Sequence, residues 1–338
     1  MTRVTVFTLG GTISARGDGA TRLTGAEVLA GLGAPSHPAP AGLAPEDIEL
    51  RDFRRVPSSS LTHEDLAALA AEVRAAVAAG SGVVVVQGTD TLEETAFLLD
   101  LLCTTERPVV VTGALRRADL PGADGPANLA AALAVAVAPA CRNLGVLVVL
   151  ADEIHAARHA RKTHTTSLTT LASPGAGPLG AVVEGEPRVL LRPAVPATPR
   201  PLTLDPAVRV ALVTLSQGDR GELLDAVDER FQGLVVAAFG AGHAPARLVE
   251  PLAALARRIP VVLASRTGSG TTLARTYRGP GSEHDLIGHG LIPAGPLDPP
   301  KARILLQTLL SSGAAGPAGY DRPRIAAAFA HLDGSGLA

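Results

Sequence analysis

The chain has 338 residues, and at roughly 100 to 200 residues per domain this length predicts two domains that each bury a core. Its 30 Lys and Arg residues nearly balance its 32 Asp and Glu residues, and the absence of any block of like charge excludes a basic footprint for nucleic acid. A charge-free stretch at 125–141 contains two prolines and many alanines, which excludes a membrane span there. Small-molecule partners are therefore favoured over nucleic acid and membrane.

The cysteines and the N-terminus indicate the cellular compartment. The chain has only Cys103 and Cys141, a number that favours buried free thiols in a reducing compartment over a disulfide framework. The first residues, MTRVTVFTLGGTIS, turn glycine-rich after a short strand-like run and lack the longer apolar segment of an export signal. We therefore expect a cytoplasmic protein.

The N-terminal half begins with an apolar, β-branched run at 4–9 that stops at two glycines and predicts a buried strand. Residues 15–50 are rich in Gly, Pro and Ala, and they predict a long loop or lid with one short helix near 26–30. Thr62 and Asp65 form a capping-box pattern that predicts the start of a longer helix. A strand, a lid and a helix are thus expected in this order.

An alternation of strands and helices follows. The run Val83 to Val86 is continuously apolar, as expected for a strand covered on both faces. Thr91 and Glu94 form a second capping-box pattern that predicts a helix through Leu102. Three further segments continue the alternation: a strand at 109–112, a helix at 128–137 and a strand at 146–150. Strands separated by helices of this length predict right-handed crossovers and a parallel sheet.

A proline-rich segment, RPAVPATPRPLTLDP at 192–206, carries five prolines and predicts a semi-rigid linker. It divides the chain into a larger N-terminal domain at 1–191 and a smaller C-terminal domain at 207–338. The second domain shows the same alternation, with apolar runs at 208–215, 234–238 and 261–264 and a helical pattern at 248–257. The predicted fold class is α/β, with two α/β domains that contain mainly parallel sheets.

Two predicted strands end in glycines followed by a threonine, in GGT at 10–12 and in GTD at 88–90. Because open parallel sheets bind ligands outside the carboxyl ends of their strands, the two hydroxyls could converge on one pocket. The helix expected after Thr91 adds free amide groups and a positive dipole end, which suit a carboxylate or a developing oxyanion. For GGT alone, a simple strand-terminating turn is the alternative.

A threonine hydroxyl is a weak nucleophile and needs a neighbouring base. The chain has only two lysines, Lys162 and Lys301. Since a desolvated lysine can lose its proton near neutrality and an arginine cannot, Lys162 is a candidate base within the segment RHARKTHTT. An exposed or ion-paired side chain is the alternative.

Four sequence segments are more specific together than any one of them alone. They are GGTIS at 10–14, QGTDTLEETA at 87–96, GALR at 113–116 followed by DGPANL at 124–129, and DEIHAAR at 152–158 leading to Lys162. In this order they closely resemble the signature segments of the bacterial L-asparaginase and glutaminase-asparaginase family, over about residues 3–312. The resemblance implies a two-domain α/β amidohydrolase without metal or organic cofactor. It also implies a homotetramer, a dimer of dimers with sites at the interface.

The resemblance further implies roles for individual residues. Thr12 matches the nucleophile that attacks the side-chain amide carbon and forms an acyl-enzyme. Thr89, Asp90 and Lys162 match a second cluster that polarises a hydroxyl at the oxyanion or at the attacking water. The catalytic residues implied are Thr12, Thr89, Asp90 and Lys162, and the substrate-binding residues are Gly11, Ser58, Ser59, Gly88, Thr89, Asp90, Ala114 and Glu283.

An amino acid bound as a zwitterion needs one anion, several donors and few net charges. The resemblance implies that Asp90 accepts the substrate's α-ammonium group and that Ser58 and Ser59 hold its α-carboxylate. Glu283 lies about where family enzymes present an acidic residue to the substrate amine across the dimer interface. A solvated loop carboxylate is the alternative for Glu283.

Two positions depart from the family pattern. The family usually has a tyrosine in the loop after the nucleophile, but this chain has only Tyr277 and Tyr320 and reads GATRLT at 19–24. The segment GAGHAP at 240–245 has His243 where the family normally has asparagine near the partner subunit's site. The missing tyrosine affects the expected activation of Thr12, and His243 affects which substrates the site is expected to accept.

Three other patterns suggest different chemistry but are weak. His155 and His159 would share a helical face and mimic a zinc pair, but the H-E-x-x-H glutamate and a third ligand are missing, so no metal site is expected. The segment TGSGT at 267–271 lacks the spacing of a hydrolase elbow and the lysine of a P-loop, and it predicts a turn. Residues 10–12 do not extend to G-x-G-x-x-G, so a dinucleotide oxidoreductase is a poor second choice.

The resemblance therefore implies a cytoplasmic amidohydrolase that converts L-asparagine to L-aspartate and ammonia, with L-glutamine as a second candidate substrate. The missing loop tyrosine and His243 motivate two alternatives. One is a non-catalytic amino-acid sensor that kept the pocket and lost the chemistry. The other is an amidase for a different amide substrate.

Overall fold

The computed structural model of the chain describes residues 3–17, 21–30, 43–193, 202–316 and 319–333. The chain divides into two compact units, Met1–Pro201 and Leu202–Ala338. Much of the predicted linker falls on 194–201, which lie outside the described residues. The exact domain limits drawn from the sequence stay a prediction.

The first unit contains short elements in alternation. In chain order they are β1 (Val4–Thr8), β2 (Ala15–Arg16), β3 (Thr21–Arg22), α1 (Gly25–Ala30), β4 (Ile48–Asp52), α2 (His63–Ala78), β5 (Gly82–Val86), α3 (Leu92–Leu102), β6 (Val109–Thr112), α4 (Gly125–Val137), β7 (Val146–Leu150), β8 (Glu153–Ala156), β9 (Arg161–Lys162), β10 (Leu171–Ala172), β11 (Gly180–Val183) and β12 (Glu186–Val189).

Eight of these strands form one sheet in the order β12-β11-β8-β7-β6-β5-β1-β4. Five neighbouring strands run parallel, namely β4, β1, β5, β6 and β7. Strands β8, β11 and β12 extend the sheet with antiparallel pairs. Every residue of β5 is buried, and the strand contacts both α2 and α4. Its side chains alternate between the two faces of the sheet, so both faces are covered by helices.

Some of the elements predicted for the first unit are confirmed by the structure, and others are not. The capping box that opens α2 is confirmed, because Thr62 and Asp65 each bond to the other's backbone N–H over 3.2 Å. The short helix expected near 26–30 is α1. The prediction of a loop over the rest of 15–50 is partly wrong, because β2 pairs with β3 as a hairpin and β4 pairs with β1. Residues 18–20 and 31–42 of this stretch lie outside the described residues.

The second unit has the elements β13 (Val210–Thr214), α5 (Glu222–Asp225), β14 (Gly233–Ala238), α6 (Val249–Ala256), β15 (Val261–Ser265), α7 (Glu283–Gly288), β16 (Ile292–Pro293), α8 (Pro299–Leu309), β17 (Ala315–Gly316), β18 (Gly319–Tyr320) and α9 (Arg322–Asp333). Strands β13, β14, β15 and β16 form a parallel sheet in that order. The predicted α/β fold class with mainly parallel sheets is therefore confirmed. In the parts of the chain that the structure describes, no helix is both long and apolar enough to cross a bilayer.

Candidate active site

Two glycines bring the chain segments after β1 and β5 into backbone contact. The two strands pair in parallel, so both end at the same edge of the sheet. A Cβ atom added to Gly11 would lie 2.1 Å from the backbone nitrogen of Gly88, so only glycine fits at this crossing. Thr12 and Thr89 each follow one of these glycines directly. The crossing therefore anchors both sequence-predicted threonines at one edge of the sheet.

Thr12 begins a single turn of 3-10 helix, Thr12–Ser14. Ser14 fastens this turn, because its hydroxyl and its backbone N–H donate to the Gly11 carbonyl over 2.9 and 3.2 Å. Ile13 is buried, whereas Thr12 is only partly buried. Across the described residues, the Thr12 hydroxyl makes no hydrogen bond. This hydroxyl is therefore available to a ligand.

Lys162 joins Thr89 and Asp90 into one cluster. Its Nζ donates to Thr89 Oγ1 over 3.0 Å and to Asp90 Oδ1 over 2.7 Å. Thr89 is buried, whereas 68% of the Asp90 side chain is exposed. The lysine thus bridges a buried hydroxyl and a carboxylate that faces solvent. Of the two roles considered for Lys162, an ion-paired side chain describes this contact, and the lysine orients the Thr89 hydroxyl by donating to it.

The first turn of α3 departs from the predicted capping box. Thr91 is the residue before the helix, but its hydroxyl makes no capping bond and donates to the Ser58 carbonyl over 3.0 Å. The predicted reciprocal box between Thr91 and Glu94 is therefore wrong. The Glu93 carboxylate accepts the backbone N–H of Lys162. Both Thr91 and Glu93 thus bind neighbouring segments of the site.

Ser58 lies beside Gly88, whose added Cβ would be 2.9 Å from the Ser58 Oγ. The Ser58 side chain is buried, and its hydroxyl has no hydrogen-bond partner among the described residues. A buried hydroxyl without a partner is costly, so it marks a place where a ligand can supply the missing bond. Ser59, the next residue of the same short turn, is exposed.

The loop that follows β6 carries Ala114, which is fully buried. The Asp124 carboxylate accepts the next two backbone N–H groups of this loop at 2.8 to 3.1 Å. The Asn128 amide donates to the Gly113 carbonyl over 3.0 Å and fastens the start of the loop to α4. Sequence reasoning gave Asp124 and Asn128 no role, although the family segment DGPANL that contains them was a signal. They shape the backbone around Ala114.

Glu283 lies in the second unit, at the first residue of α7. Its side chain is fully buried, so the alternative of a solvated loop carboxylate is wrong. Its Oε1 accepts the backbone N–H groups of Thr276 and Tyr277 at 3.1 and 2.8 Å, and the His243 Nε2 lies 3.1 Å from its Oε2. Burial raises the pKa of Glu283, but the Tyr277 N–H and His243 outweigh it, so the pKa lies below its ordinary value. A contact with a substrate amine stays a prediction.

The histidine pair considered for zinc does not share a helical face. His155 lies in strand β8, and His159 follows the strand in a turn. The His155 ring is fully buried, with Nδ1 2.9 Å from the Ser173 hydroxyl, and burial lowers the pKa of the ring despite the nearby Glu153 carboxylate. Among the described residues, no group of three His, Cys, Asp or Glu side chains could hold a metal ion.

Two α/β units, together with a Thr–Lys–Asp cluster where parallel strands end, place the chain in the class of α/β proteins with a polar ligand site at the carboxyl edge of a sheet. Comparisons with known proteins narrow this class. The sequence model described as "Asparaginase, N-terminal" matches residues 3–195, and the "Glutaminase/Asparaginase C-terminal domain" matches residues 209–319. The chain therefore belongs to the asparaginase family, as the resemblance predicted.

Named relatives extend over most of the chain. A probable L-asparaginase of Deinococcus radiodurans is 36% identical over 92% of this chain and 94% of its own length. The L-asparaginase of Bacillus licheniformis is 33% identical over 92% of this chain and 96% of its own length. A solved structure of a probable cytoplasmic L-asparaginase from Campylobacter jejuni aligns with a TM-score of 0.85 at 28% identity, covering 97% of this chain and 99% of that one.

Proposed function

We propose that this protein hydrolyses L-asparagine to L-aspartate and ammonia through a threonine acyl-enzyme, with L-glutamine as a second candidate substrate. One observation carries the proposal: Lys162 bonds both Thr89 and Asp90, next to the crossing of Gly11 and Gly88 that carries Thr12. The relatives named L-asparaginase over nearly the full length support the same reaction.

In the proposed first step, the Thr12 Oγ attacks the side-chain amide carbon of the substrate and forms an ester. The amide nitrogen leaves as ammonia and takes with it the proton of the hydroxyl. In the second step, water attacks the ester carbonyl, aspartate leaves, and Thr12 regains its proton. Thr89 supports these steps, because Lys162 donates to its oxygen and leaves its own O–H to be directed at the oxyanion or at the water.

The same residues supply what an amino-acid zwitterion requires. Asp90 uses one carboxylate oxygen for Lys162 but is largely exposed, so acceptor capacity remains for the substrate's α-ammonium group. The unpartnered Ser58 hydroxyl is suited to donate to the α-carboxylate, with Ser59 as the second donor in our proposal. The close-packed backbones of Gly11 and Gly88 and the fixed loop at Ala114 would line the remainder of the site.

The test is ammonia release by the purified protein from L-asparagine and, in parallel, from L-glutamine over a range of pH. Thr12→Ala should abolish release without loss of folding, whereas Thr165→Ala, a matched change at an exposed threonine, should leave it intact. A Thr12→Ala protein with full activity would refute the assigned nucleophile. If the folded wild-type protein binds asparagine in calorimetry without turnover, the sensor alternative holds. If it cleaves only a blocked amide, the substrate assignment is wrong.

We also propose that the protein works in the cytoplasm as a homo-oligomer with sites at the interface. Cys103 and Cys141 are both buried free thiols, which fits a reducing compartment, and the similar Campylobacter jejuni protein is a probable cytoplasmic L-asparaginase. Leu190 and Leu191 follow the edge strand β12 and expose 79% and 55% of their surface, and in our proposal a partner subunit covers these two side chains. Sedimentation equilibrium tests the oligomer: a monomer at micromolar concentration would contradict it.

A further inference from the structure

The lysine of the proposed site is attached at two points, to the turn that precedes α3 and to the first turn of the helix itself. Its Nζ bonds Thr89 and Asp90, which directly precede the helix. Its backbone N–H bonds the carboxylate of Glu93, which lies within the helix. The side chain and the main chain of Lys162 are therefore both fixed to the segment 89–93 at the start of α3.

The main-chain contact matters because Lys162 sits on a very short strand. Strand β9 has two residues and pairs with β10, outside the eight-stranded sheet. The next N–H, that of Thr163, donates back across this hairpin to the Thr170 carbonyl. Since successive N–H groups of a strand point in opposite directions, the Lys162 N–H points away from β10 and toward Glu93. The Glu93 carboxylate therefore ties the hairpin to the helix at the residue that carries the amine.

Glu93 and Glu94, the two acidic residues in the first turn of α3, are equivalent in their effect on the helix N-terminus. Glu93 and Glu94 both lie where a negative charge stabilises a helix N-terminus. A residue of this turn can fix the position of the Lys162 amine only if it contacts Lys162. Glu93 makes that contact. The two residues therefore form a natural pair of test and control.

We propose that Glu93 is a positioning residue for the reaction, which sets the Lys162 amine against Thr89 by holding the backbone of Lys162; this inference rests on the proposed function. Glu93→Ala removes the acceptor, and we expect kcat for asparagine to fall roughly 10- to 100-fold, the rate equivalent of losing a hydrogen bond to a charged group. KM should change by less than about threefold, because Asp90 and Ser58 are untouched.

Two conservative variants separate position from charge. Glu93→Gln keeps the length and an acceptor oxygen but loses the charge, and it should recover most of kcat. Glu93→Asp keeps the charge but is one methylene shorter, and it should lose as much as alanine. Glu94→Gln removes a charge from the same turn and should leave kcat unchanged. The opposite order, with Glu93→Asp active and Glu93→Gln impaired, would overturn the proposal in favour of a charge effect.

A second measurement reports on the amine without turnover. Because the chain has only two lysines, protein made with lysine ¹³C-labelled at Cε gives two side-chain signals, and Lys162→Met assigns them. Glu93→Ala should shift the Lys162 signal and leave that of Lys301, which is buried beside Asp298 in the second unit, in place. An unmoved Lys162 signal together with unchanged kcat would refute the positioning role. If the wild-type protein releases no ammonia, the proposed reaction fails, and the signal still decides whether Glu93 positions Lys162.

Discussion

Gly11→Ala tests directly whether the crossing of the two strand ends aligns the site. Gly11 has a φ of +89° and a ψ of −171°, a combination that is essentially restricted to glycine and costs a residue with a Cβ about 1 to 3 kcal/mol. The new methyl group would also lie 2.1 Å from the Gly88 nitrogen, so the two backbones would have to separate by more than about 1 Å before the contact reached the ordinary range. A 1 Å misplacement near reacting groups lowers a rate about 100-fold. We therefore expect kcat for asparagine to fall by about that factor in steady-state ammonia assays.

The control for this experiment is Gly175→Ala. Gly175 has a similar φ of +81°, but nothing lies within 4 Å of the added Cβ atom. The control therefore also places a Cβ on a residue with positive φ, and it should lose some thermal stability, but it avoids the collision with Gly88. Its kcat should remain within about twofold of the wild type. Wild-type kcat in folded Gly11→Ala, or an equal loss in both variants, would refute the reasoning.

Three further changes have outcomes that follow from the structure. Lys162→Met should lower kcat roughly 100- to 1000-fold in the ammonia assay, because Thr89 loses its donor, and wild-type kcat would contradict the cluster. Burial raises the pKa of Asp100 to about 6, although the nearby Arg158 charge lowers it. The protonated carboxyl therefore contributes stability below about pH 4, and this stability is lost as the pH rises through about 6. In urea denaturation, Asp100→Asn should therefore gain about 3 kcal/mol on the wild type between about pH 4 and about pH 7.5, and a pH-independent difference would contradict this. Burial also raises the pKa of Cys103 to about 12 and that of Cys141 to about 11, so both thiols should resist iodoacetamide near pH 8 until the protein is unfolded, as intact mass would show.

The sequence could predict the elements whose cause is local. The apolar run of β5 indicated a strand covered on both faces because all its side chains are buried. Strand β4 was missed because it lies at the edge of the sheet, where the residues of IELRD are partly buried or exposed. Apolar patterning reports burial, and an edge strand with charged side chains does not display it.

The sequence could predict which residues form the candidate site better than it could predict the hydrogen bonds between them. Lys162 stood out because lysine is rare in this chain, but its partners Thr89 and Asp90 lie more than seventy positions earlier. Only the packing of the β9–β10 hairpin against the segment after β5 decides that such distant residues meet. Glu283 shows the same limit, because its burial and its bonds to Thr276, Tyr277 and His243 depend on the packing of α7 within the second unit.

The failed capping prediction at Thr91 is informative because the same pattern succeeded at Thr62. In α2, Thr62 and Asp65 bond each other's backbone, and the helix start satisfies itself. In α3, the Thr91 hydroxyl bonds Ser58, and Glu93 bonds Lys162, each across a large distance in sequence. The capping-box pattern fails where the side chains bond to distant segments and not to their own helix start. Such conflicts between local pattern and tertiary structure are expected at functional sites. The first turn of α3 is therefore better understood as part of the site than as the start of a supporting helix.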